Sequence, residues 1–102
     1  MNDRELLELA AKAGGYDYKP QNGAIVVGGI PANWNPLTDD GDALRLAVKL
    51  ELQLRLRHSE NAVSVYGSPD GRVDEADRAD PCAATRRAIV RAAAEIGKVA
   101  NE

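Results

Sequence analysis

The sequence predicts an α+β domain, with helices packed on a mainly antiparallel sheet in the order α-ββ-α-ββ(β)-α. Three observations predict it. Apolar residues recur at helical spacing near the start, in the middle and at the end of the chain. Between these stretches the pattern becomes β-branched or strictly alternating. Gly, Pro and Asn clusters mark the reversals, so neighbouring strands return on each other as hairpins. The whole chain, residues 1–102, is expected to form one sandwich-like domain.

Asn2 with Glu5 three residues on fits a capping box for the first helix. Leu6, Leu9, Ala10 and Ala13 give it an apolar face, and Gly14-Gly15 stops it. Tyr16 to Lys19 alternates as a short strand, with Tyr16 and Tyr18 on a cross-strand face. Asn22-Gly23 signals a tight reversal, and Ala24-Ile25-Val26-Val27 reads as a buried strand. Gly28-Gly29 ends that strand or allows a close backbone approach. It does not make a phosphate loop, because no Gly-Lys-Ser/Thr follows and Pro31 intervenes.

The run from Trp34 to Leu50 is the expected centre of the fold. Asn35-Pro36 turns the chain, and Thr38 or Asp39 caps a helix. Asp39, Asp40 and Asp42 fall in its first turn, where carboxylates oppose the positive end of the helix dipole. Leu44, Ala47, Val48 and Leu50 are the expected buried stripe, with Asp42, Arg45 and Lys49 on the wet face. The competing reading of the three aspartates is a hard-cation site, which would want several oxygens converging from a closed loop. Trp34, the single tryptophan, is either a core plug or an anchor in a binding loop.

From Glu51 the period switches to two. Leu52, Leu54 and Leu56 alternate with Gln53, Arg55 and Arg57, and Val63 and Val65 supply the inner face of the return strand. The outer face of this hairpin carries Arg55, Arg57 and Tyr66, with His58 at its tip. Cations interleaved with an aromatic could hold a phosphate or nucleotide; the plainer reading is a solvated face with edge-protecting charges. Arg72 to Asp77 reads as an edge strand after the Gly67–Gly71 loop. Asp80-Pro81 opens the last helix, whose expected core stripe is Cys82, Thr85, Ile89, Ala92, Ala93, Ile96 and Val99. Arg87, Arg91, Glu95 and Lys98 form its outer stripe.

Composition narrows the chemistry. The net charge of −3 argues against a general nucleic-acid surface. A single Cys excludes an internal disulfide framework and a Cys-cluster zinc site, and a single His excludes a multi-His site within one chain. The longest uncharged run is broken by Pro and Gly, so neither a membrane span nor a leader peptide is expected, and the location expected is cytoplasmic.

The segment Trp34-Asn35-Pro36-Leu37-Thr38-Asp39-Asp40-Gly41-Asp42-Ala43-Leu44-Arg45-Leu46-Ala47 resembles a signature of the phage ABA-sandwich domain family, small proteins of tailed phages and prophages. A second resemblance covers Asp80 to Gly97, and a third covers Leu6 to Gly14. The resemblance implies helices on both faces of a sheet and a phage or prophage protein acting in the host cytoplasm. It implies no established activity.

The leading functional expectation is therefore a non-enzymatic accessory protein that binds a host or phage protein or its own copy as a homodimer. The candidate binding residues are Arg55, Arg57, Tyr66 and Trp34, with no catalytic set and no cofactor. A nucleotide- or small-ligand-sequestering protein is the alternative. A metal-dependent enzyme built on Asp39, Asp40 and Asp42 ranks last.

Overall fold

A computed structural model describes residues 1–76 and 80–100. Asn2 caps the first helix, α1 (Asp3–Gly14), by accepting the Glu5 N–H at 2.8 Å. Gly15 closes it in the left-handed conformation at φ 72°, where its missing Cβ avoids strain. Three strands follow: β1 (Asp17–Lys19), β2 (Ala24–Val27) and β3 (Ile30–Asn33), an antiparallel meander in that order.

The strand β3 is one more than the sequence pattern predicts. Gly28 and Gly29 are the two residues between the paired Val27 and Ile30, and both have positive φ. Two such residues in succession make the primed hairpin turn that matches strand twist. The glycines thus reverse the chain instead of ending the strand. Ile30-Pro31-Ala32-Asn33 escapes notice because Pro and Asn are poor strand residues; Pro is tolerated because β3 is an edge.

Trp34 follows directly and is only 3% exposed. Of its two expected roles, the structure gives it that of the core plug. Its ring lies 5.3 Å from Tyr16 and 5.4 Å from Tyr18, in tilted and edge-on arrangements favoured by aromatic quadrupoles. Burial raises the Tyr18 hydroxyl pKa, with Glu8 adding to the effect. Through this aromatic cluster and Ile25 the first meander is held to the helices.

Helix α2 (Asp40–Lys49) begins as expected, with Asp39 accepting the Asp42 N–H at 2.8 Å. Its buried face matches the expected stripe only in part: Ala47 is buried and Leu50 partly buried, as expected. Ala43, Leu46 and Ala47 point inward, while Leu44 is 58% and Val48 68% exposed. Sequence periodicity sees two overlapping apolar stripes on this helix, and the larger side chains belong to the outward one.

The second meander is β4 (Gln53–Arg57), β5 (Ala62–Tyr66) and β6 (Arg72–Ala76), antiparallel in sequence order, with a 3₁₀ turn at His58–Glu60 between the first two. Val63, Val65 and Val73 are buried on its inner face. The end of the expected edge strand, Asp77, lies outside the described residues. Asp80 then caps α3 (Pro81–Ala100) by accepting the Ala83 N–H at 3.0 Å.

The core is organised around α3, not around α2 as the sequence suggested. It touches α1, α2, β5 and β6. Ala84, Ala88, Ile89, Val90, Ala92, Ala93, Ala94 and Gly97 are all buried, a face much wider than one stripe. Alanine makes this possible: small side chains let several elements approach one helix, yet they contribute little to a hydrophobic pattern. Cys82, expected inside, is exposed, and so is Val99. Gly97 marks the closest approach, because a Cβ built there would stand 2.0 Å from the Leu9 carbonyl oxygen of α1. Arg91 on the same helix bonds the Glu75 carboxylate and donates to the Asp74 carbonyl at 2.9 Å, clamping α3 to β6. The α+β class and the element order therefore match expectation, with the strands divided between two three-stranded sheets.

Candidate functional site

Strand register brings Arg55, Arg57 and Tyr66 onto one face of the second meander, as alternation predicts. Arg55 stands opposite Ser64, Arg57 opposite Ala62, and Tyr66 lies between Gln53 and Arg72. Arg72 is thereby added to the cluster. The face is largely self-satisfied. Arg57 donates to Ser64 Oγ at 2.6 Å and to Glu60 at 3.1 Å, and Ser64 Oγ donates to Asp74 at 2.6 Å. Arg72 pairs with Asp74 at 3.0 Å. The Ser64 hydroxyl, then Arg72 and Arg57, hold the Asp74 carboxyl below the usual carboxylate range. Hydrogen bonds from Arg72 first and Arg55 second lower the Tyr66 phenol. Two arginines on this face are thus spent on neighbouring acids; Arg55 reaches Tyr66 from a solvent-facing position.

The three aspartates at the start of α2 each have a folding role. Asp39 is the N-cap. Asp40 accepts from Arg86 of α3 at 2.6 Å. Asp42 accepts the Asn35 N–H at 3.0 Å and pairs with Arg45 at 2.7 Å. Asp39 and Asp42 share Arg45, at 3.8 and 2.7 Å, while Asp40 turns to Arg86. Among the described residues no group of three His, Cys, Asp or Glu side chains is placed to hold a metal ion.

An apolar recess lies elsewhere. A groove of about 290 Å³ runs between α2, the β4–β5 hairpin and the first turns of α3. Ala43, Leu54, Val63 and Ile89 are among its lining residues, with Leu44 from α2 and Leu56 from β4 at its sides. Leu56 is 65% exposed. Pro81, Cys82 and Thr85 contribute from α3, and Asp40, Arg86, Arg57 and His58 give it polar margins. An apolar recess bordered by exposed Leu side chains is the surface type that marks a binding site on a small protein. Its lining is mainly apolar, so what it chiefly offers a partner is apolar surface to bury.

Sequence reasoning missed the groove for a physical reason. Its walls come from residues 40–44, 54–63 and 81–89, which only the tertiary fold assembles. One signal was available: α2 has more apolar residues than a single buried stripe requires. No helix among the described residues is long and apolar enough to cross a membrane. Comparison of the chain with protein-family models, curated proteins and solved structures finds no match to any of them.

Proposed function

We propose that this protein is a non-catalytic binding module whose working surface is the apolar groove between α2, β4 and α3. The observation that carries the reading is the exposure of Leu44 and Leu56, which line that groove, with Val48 exposed one turn along α2 from Leu44. Three large apolar side chains held in water on well-ordered elements are unfavourable in isolation and become favourable when a partner covers them. The resemblance of the Trp34–Ala47 segment to phage ABA-sandwich proteins supports a phage or prophage accessory role in the host cytoplasm. The partner is then a host or phage protein, or a second copy. The test compares wild type with Leu56→Glu for self-association and for capture of a host protein. The variant should lose binding while keeping its melting temperature. A wild-type protein that neither self-associates nor captures anything ends this reading.

A second reading is favoured by Arg55, Tyr66 and Arg72 standing on one face of the second meander. That arrangement could hold a nucleotide phosphate beside an aromatic ring. It predicts that nucleotides raise the melting temperature, since a ligand of the native state must stabilise it. A flat thermal-shift screen removes it.

A further inference from the structure

We propose that the occupant of the groove is α2 of a second copy of this chain, packed antiparallel in a closed two-fold dimer. This rests on the groove being the binding surface. Leu44 and Val48 are four residues apart and form an outward ridge on α2, immediately beside the recess that Leu44 helps to line. A ridge next to a groove on one element is self-complementary. A two-fold axis lays the ridge of each copy into the recess of the other, with Leu56 closing over it, and a closed isologous contact results.

Charge supports this occupant and this direction. Asp39 and Asp40 lie exposed at the start of α2 and Lys49 lies exposed in its last turn, while Arg45 at mid-helix pairs with Asp42 and Asp40 also meets Arg86. Antiparallel pairing sets the acidic start of each helix beside the basic end of its partner and opposes the two helix dipoles. A parallel arrangement would stack acid on acid. The chain has a net charge of −3, so two copies attract only where local charges alternate in this way. The contact has an apolar centre of Leu44, Val48, Leu56 and the groove floor, and a polar rim, as stable interfaces do.

The chain supplies its own reporter, because Cys82 is the single cysteine, is exposed, and lines the groove. The experiment follows mass by light scattering on a sizing column, and Cys82 reactivity toward a thiol reagent, over one series of protein concentrations. The expected result is a dimer at high concentration whose Cys82 reacts more slowly as dimer forms. Leu44→Asp and Leu44→Lys each place a like-charge pair near the axis. Each should weaken self-association by about a hundredfold or more, and a 1:1 mixture should recover a heterodimer. Leu44 faces solvent in the monomer, so both variants should fold. A monomer at every concentration overturns the proposal. So does a dimer in which Cys82 reactivity is unchanged, or one that Leu44→Asp leaves intact. Fluorescence of 1-anilinonaphthalene-8-sulfonate separates the two levels of failure. If the monomer binds the dye and Leu56→Glu abolishes the signal, the groove still binds apolar ligands and the second-copy assignment alone falls. If no dye binds, the groove reading falls with it.

Discussion

The two meanders have the same strand count and the same topology but are held in opposite ways. The first, β1–β3, is fixed by a few large rings: Trp34 between Tyr16 and Tyr18, with Ile25 alongside. Its far hairpin leaves Val27 and Ile30 in solvent. The second, β4–β6, is fixed by many small contacts, with Val63, Val65 and Val73 laid along the alanine face of α3 and Arg91 tying the edge strand. A sheet pinned at one point should open locally, whereas a sheet laid along a core helix should open only with the whole molecule.

Trp34→Ala is the largest test of that contrast. Loss of a buried Trp should cost about 4 kcal/mol. Amide exchange should quicken first in β1–β3 while β4–β6 keep their protection. Equal loss in both sheets would break the comparison. Gly97→Ala strikes the scaffold that both sheets share. The new methyl meets the Leu9 backbone, which no rotamer change can relieve, and the cost should be about 3 kcal/mol. Exchange protection should fall in both meanders alike, and melting should remain a single transition.

Gly28→Ala is a smaller, local change. Nothing crowds the position, so the cost is the positive φ alone, about 1 kcal/mol. Chemical-shift changes should stay within the β2–β3 hairpin. The smallest effect concerns pH. Asp74 is held below its ordinary pKa, so its contribution is present above the unfolded carboxylate pKa of about 4 and is lost as pH falls through the lower folded value. Asp74→Asn should flatten the decline of melting temperature below about pH 4. An unchanged acid limb would mean that the Ser64–Asp74–Arg72 cluster contributes nothing to the second sheet.

Much of this fold is legible in the sequence because caps and turns are local. Asn2, Asp39 and Asp80 each accept the backbone N–H that their position predicts. The Leu/Arg alternation of 52–57 holds from Leu52 to Arg55 and fails at its end, where Leu56 is exposed and Arg57 is partly buried against Ser64. What was not legible depends on which of two apolar stripes a helix buries. On α2 the pattern puts Leu44 and Val48 inside with Ala47, yet Ala43 and Leu46 join Ala47 in the core instead. On α3 the alanines hide how completely the helix is enclosed. The groove lies where Leu44 is left outside α2 beside the exposed Leu56 of β4. The Arg55–Tyr66 face could be placed by alternation, but its self-neutralisation by Asp74 and Glu60 depends on tertiary geometry.

The pairing of α1 with α3 also bears on how the chain is made. Asp3 meets Arg87 and Leu9 meets Gly97, so the two helices run side by side in the same direction. A chain emerging from a ribosome presents α1 long before α3 exists to receive it. Until then Leu6, Leu7, Ala10 and Ala11 have no lasting cover. Folding of this domain therefore waits until α3 has been synthesised, and α1 is the segment left uncovered in that interval.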